Sequence, residues 1–271
     1  MSEHAQAPST SSLQASLLSS PPGDLPPDEI PALFTPAHDP AERRKLWLLV
    51  AFVLALAVIP DLHWAIHSWL AEPPAPESVW PAMSIALHLL ERSFRVVVPM
   101  VCLLAIIGFP FRSMGLWRIR AVDFSIAVAM LIVIFPTTYL MGWLASIIVE
   151  PRFLGHTAPP GSAPEWLIVI FADVVNAVAE ELAIWGVLYV CLRRLWHRSE
   201  WLSLLVAALT FGSYHIYQGI DGVILVTTMG LLHGVFFRLT RRLWPLIIAH
   251  AANNIFITLA ATFPMISLTG S

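Results

Sequence analysis

Charge is what this sequence most lacks. Charged residues are 12% of the 271, hydrophobic residues are 57%, and the mean hydropathy is +0.73. A soluble domain carries about 25% charged and 45 to 50% apolar residues, so a water-soluble globular protein is excluded. A surplus of base is missing too: the net charge is -3 and the 15 Lys plus Arg lie between apolar runs, leaving no basic surface on which nucleic acid would dock. There are only two cysteines, Cys102 and Cys191, both inside apolar runs, which excludes a disulfide framework and a multi-cysteine metal site. No repeat of fixed period and no inverted repeat stands out, against the pattern of many transporters. A basic segment followed by a short apolar stretch is absent from the first residues, and a cleaved signal peptide is not expected.

What is present is a series of apolar stretches long enough, at about 20 residues for a core of about 30 Å, to cross a bilayer. They fall at roughly 46 to 66, 83 to 110, 122 to 148, 166 to 191, 201 to 218, 221 to 238 and 244 to 263. The expected fold is therefore all-α, a polytopic bundle of about seven transmembrane helices over 43–271. Residues 1–42, rich in Ser, Pro, Ala and acids, read as a disordered tail that cannot offset its ordering entropy. In the first stretch the purely apolar run stops at Ile59, and Pro60 and Asp61 leave open whether the helix ends there or runs on to 66. Cations cluster before the first stretch (Arg43, Arg44, Lys45), between the second and third (Arg112, Arg118, Arg120), between the fourth and fifth (Arg193, Arg194, Arg198) and between the sixth and seventh (Arg238, Arg241, Arg242). Only Arg92, Arg95 and Arg152 fall elsewhere. Since cytoplasmic loops hold the excess of Lys and Arg, this alternation predicts a cytoplasmic N-terminus and an external C-terminus, with a plasma (inner) membrane as the default location. Trp47, Trp117, Trp166, Trp196, Trp201 and Trp244 sit near the proposed helix ends, as expected of rings at the headgroup level.

An ionisable group at the centre of a membrane helix costs about 2.5 to 3.5 kcal/mol, so such groups point to function. The fourth stretch carries Asp173, Asn176 and Glu180 on one face and Glu181 about 100° round. Asp173 and Asn176 read best as polar glue between helices; two adjacent glutamates at mid-helix do not. The seventh stretch stacks His250 and Asn254 four residues apart, with Asn253 beside them. The fifth places His215 near its outer end. In the sixth, Gly230 and Gly234 form a small-xxx-small pair for close helix approach, and His233 between them reads first as a helix contact, with support of the site residues from behind as the alternative. In the second, Glu91 and Arg95 are spaced to pair with each other, near the outer interface.

Glu180–Glu181, Phe211-x-x-x-His215 and His250-x-x-x-Asn254, on three helices in this order and in an LWPLIIAHAANN context, resemble the CPBP family of type II CAAX-prenyl-protease-like and bacteriocin-processing (Abi) intramembrane proteases. The resemblance covers about 165–260. It implies that Glu180 and His215 activate a water for attack on a peptide carbonyl, that His250 and Asn254 bind the oxyanion, that Glu181 supports them, and that no cofactor takes part. The substrate would be a peptide or membrane-anchored protein. An apolar site makes a carboxylate a better base near neutral pH, and donors held in a low-dielectric cavity stabilise developing charge. The family's first motif carries an arginine one turn beyond the second glutamate; Trp185 stands there, which leaves three outcomes open: another cation reaches Glu181, Glu181 is protonated, or the chain is an altered, inactive member. Two alternatives stay open: a zinc-dependent protease with Glu180, His215 and His250 as ligands, and a non-catalytic membrane scaffold or immunity protein. Depth is a further constraint. With His215 near the outer end of its helix and His250 about 6 residues, or 9 Å, from the inner end of its own, straight parallel helices would hold the two apart.

Overall fold

The computed structural model describes residues 35–71, 79–109, 111–116, 118–149, 156–196 and 199–262. Among them are seven long helical rods. α1 is α-helical over Pro40–Val53, π-helical over Leu54–Val58 and α-helical again over Ile59–Leu70; α2 is Ala82–Ile106 and α3 is Ala121–Ile148. α4 is α-helical over Ala163–Glu181, π-helical over Leu182–Tyr189 and α-helical over Val190–Leu195; α5 is Glu200–Ser213, α6 Ile220–Thr240 and α7 Trp244–Thr262. The only strands among the described residues are β1 (Val79–Pro81) and β2 (His156–Ala158), which pair in parallel ahead of α2 and α4. The all-α expectation holds, and its helix count with it.

α4 is the central rod: every residue from 179 to 192 is buried. A helix that is apolar all round belongs in the middle of a bundle, and α2, α5 and α7 pack around it, with α3 and α6 closing the ring. α1, α3 and α6 are long and apolar enough to cross a membrane, and the protein is an integral membrane protein. α2 and α4 carry the charged groups that turn inward, and α5 is short.

α1 does not stop at Pro60 and Asp61. The π-turn over Leu54–Val58 ends just before Pro60, so the ring sits in the first turn of the segment that follows, where its missing N–H is tolerated. Asp61 stays buried because a cation meets it. The bundle also begins earlier than expected: Ala37 is buried and donates its N–H to the Arg194 carbonyl at 3.2 Å, and Arg194 reaches back to the Thr35 carbonyl and to Glu42. Residues 1–34 of the expected tail lie outside the described residues, as do Trp117, Arg152 and Arg198.

The cation-bearing helix ends lie together. Arg194 at the end of α4 pairs with Glu42 at the start of α1. Arg242 before α7 grips the buried Asp123 at the start of α3, at 2.5 Å, and donates to the Arg118 carbonyl. Arg238 of α6 and Arg193 of α4 both reach Glu200 at the start of α5. Gly115 closes this end: its φ of +74° suits glycine, and a Cβ there would lie 2.8 Å from the Arg241 carbonyl oxygen.

Candidate active site inside the bundle

Two local features remove the depth problem. α5 has 14 residues, about 21 Å at 1.5 Å per residue, which is too short to cross. His215, two residues past its end, therefore sits at mid-bundle and not at the outer face. Likewise α7 starts deep: Leu243 packs on Gly186 of α4, where a Cβ would come 3.2 Å from the leucine. His250 lies about 10 Å beyond Leu243 and Glu180 about 9 Å from Gly186 in the same direction, so the two meet.

Glu180 and Glu181 are both buried. Glu181 Oε1 accepts from His250 Nδ1 at 2.7 Å and from His233 Nδ1 at 2.8 Å. The other ring nitrogen of His250, Nε2, faces Glu180 Oε2 at 3.5 Å. His250 is thus held between the two adjacent carboxylates. The π-helical stretch begins at Leu182, directly after the pair; such stretches recur at functional sites.

His215 completes the cluster from the turn after α5. Its Nδ1 lies 2.9 Å from the Phe211 carbonyl oxygen, one of the acceptors a helix C-terminus leaves open. A carbonyl only accepts, so Nδ1 carries the proton and Nε2 presents a lone pair. This is the physical content of the Phe-x-x-x-His spacing. The Phe211 ring stands edge-on to both His215, at 5.3 Å, and His250, at 6.0 Å, and Glu180 lies within electrostatic range of both imidazoles. Asn254, half-buried, is one turn beyond His250.

Glu180 also lines a narrow cleft, with Asp61, Arg92, Asn176, Ile184 and Tyr214 in its walls. Arg92 dominates it. Its Nη2 is 2.9 Å from Glu180 Oε1, its Nε 2.5 Å from Asp61 Oδ2, its Nη1 donates to Asn176 Oδ1 at 3.1 Å, and its guanidinium lies 5.4 Å from the centre of the Tyr214 ring.

Sequence reasoning put Arg92 aside because Glu91 and Arg95 drew the pairing; those two stand 3.9 Å apart with Glu91 exposed, while Arg92 points inward. His233, read first as a helix contact, is a buried partner of Glu181, and the flanking glycines that suggested packing are what let it reach there. The polar-glue reading holds for Asp173, which accepts from Thr258 of α7 at 2.9 Å.

Glu181, His233 and His250 each place a ligand atom within 4.8 Å of the others, a carboxylate and two imidazoles of the kind zinc takes. Among the described residues it is this trio that converges so, and not the Glu180, His215 and His250 of the zinc alternative.

Fold and site together define an integral membrane protein with a carboxylate–imidazole cluster sealed inside its helices. A family model, Type II CAAX prenyl endopeptidase Rce1-like, matches residues 162–256, about a third of the chain and the part that carries the three motifs. Neither a curated protein nor a solved structure matches the chain significantly.

Proposed function

We propose that the protein is an intramembrane endopeptidase of the CAAX type that uses a carboxylate-activated water on a peptide or membrane-anchored protein. Glu180 takes a proton from the water, which His215 orients through its unprotonated Nε2. The resulting hydroxide adds to the peptide carbonyl. With Nδ1 committed to Glu181, His250 donates from Nε2 as an imidazolium, and it and the Asn254 amide hold the oxyanion. Collapse of the adduct expels the amine, which regains the proton from Glu180. Glu181 acts through His250, fixing the ring and its protonation, as carboxylates behind catalytic imidazoles do.

The observation that carries this reading is the division of Glu180: one oxygen faces Arg92 and the other faces His250. The test compares the termini of all proteins in cells making the parental chain or Glu180→Gln. A terminus that changes, together with a drop of about 10²- to 10⁴-fold in cleavage of that sequence by the purified variant, is expected. Identical termini would favour the scaffold reading, and parental activity in Glu180→Gln would overturn the role of Glu180.

A further inference from the structure

Every nitrogen of the Arg92 guanidinium is engaged, and each by a different residue: Nε by Asp61 of α1, Nη1 by Asn176 and Nη2 by Glu180 of α4. α1 and α2 lie outside residues 162–256, which the protease family model matches. We infer that Arg92 is the positioning residue of Glu180, held in register by Asp61, so that the first two helices complete a site whose remaining parts come from the matched residues. This rests on the reading of Glu180 as the base.

The argument is electrostatic and geometric. A carboxylate must be ionised to accept a proton from water, and a buried carboxylate with no cation beside it gives up its charge. Within the matched domain, the family's arginine position is taken by Trp185, and both imidazoles on Glu181 point to its Oε1 and not to Glu180 Oε1. His250, whose charge is shared with Glu181, faces Oε2; Arg92 is the cation on Oε1. By occupying Oε1 it also leaves Oε2 to face His250 and the water. Asp61 gives the guanidinium a fixed anchor at Nε, so the fork does not swing with its long side chain. Arg92 touches neither water nor substrate in this scheme and acts through Glu180 alone.

The test is made on the full chain in lipid nanodiscs, with infrared difference spectra and steady-state kinetics on the same samples. Subtracting the Glu180→Gln spectrum from the parental one isolates the Glu180 bands; the same subtraction is repeated in an Arg92→Gln background. The parental difference is expected to contain ionised carboxylate bands, and the Arg92→Gln difference a protonated carboxyl stretch. With a quenched farnesyl-cysteine peptide ending in three further residues as probe, kcat should fall about 10²-fold at unchanged KM. Arg92→Lys keeps the charge but not the fork; its carboxylate bands should stay ionised but shift, with part of kcat regained. If Arg92→Gln does not fold, the lysine variant decides alone. Glu180 bands unaltered in both backgrounds, or parental kcat in Arg92→Lys with unshifted bands, would overturn the inference. The spectra need no substrate, so failure of the protease reading, seen as parental activity in Glu180→Gln, is distinguishable from failure of the Arg92 assignment.

Discussion

The Trp185 indole fills the space left by the missing side chain of Gly234: a Cβ on that glycine would lie 2.5 Å from ring atom Cζ3 and 2.7 Å from Cη2. Trp185 is wholly buried and stands against Tyr189 at 5.8 Å. The same close approach of α6 brings His233 to Glu181. The position where the family carries arginine has been rebuilt as a tryptophan–glycine contact, with an imidazole on the glutamate. Gly234→Ala should therefore cost about 1 to 3 kcal/mol through overpacking, and Trp185→Leu in the same chain should recover most of it. Thermal unfolding in detergent of the single and double variants measures the coupling.

His233→Leu removes one of two donors from a buried carboxylate. Breaking a buried pair on one side costs about 3 to 5 kcal/mol, so this variant should melt well below the parent, whereas His233→Gln, which keeps a donor, should lose less. Equal melting of the two would show that His233 only packs.

Asn254→Ala should lower kcat by about 10²- to 10³-fold, the effect of one oxyanion donor. The side chain is half-buried, so folding should be little changed. Parental kcat in this variant would remove Asn254 from the mechanism.

Water activation by Glu180 and His215 requires no Lewis acid. Activity should survive prolonged treatment with a strong chelator, and pure active protein should hold no stoichiometric zinc. Activity lost to the chelator and restored only by zinc would place a metal on Glu181, His233 and His250, where the ligand atoms converge.

If the cation-rich helix ends follow the excess of Lys and Arg in cytoplasmic loops, the C-terminus is expected outside. A reporter fused after Ser271 should score as external. A cytoplasmic score would reverse this orientation.

Helix number and the three motifs were legible in the sequence because each rests on local spacing: about 20 apolar residues for a crossing, and four residues for two side chains on one face. The partners of the glutamates were not. Arg92 and Asp61 are 31 residues apart and on different helices, and His233 lies 52 residues from Glu181; no periodicity encodes such pairs. The inward turn of Arg92 instead of Arg95 depends on where α2 meets α4. The depth of His215 was misread because the apolar pattern runs on to 218 while the helix stops at Ser213. His215 then hydrogen-bonds the freed Phe211 carbonyl, and the chain continues as a short 3₁₀ turn over Ile216–Gln218.

The shortness of α5 also bears on the lipid around it. Trp201, Leu202, Leu205 and Leu209 form an exposed apolar face on this helix, about 21 Å long against a hydrocarbon core of about 30 Å. Such hydrophobic mismatch is met by thinning of the adjacent bilayer. A dip on that flank would bring headgroups and water toward the level of His215 without any opening of the bundle. Acyl-chain length would then control how readily a polar peptide segment arrives at the proposed site, and turnover is expected to be highest in thin bilayers.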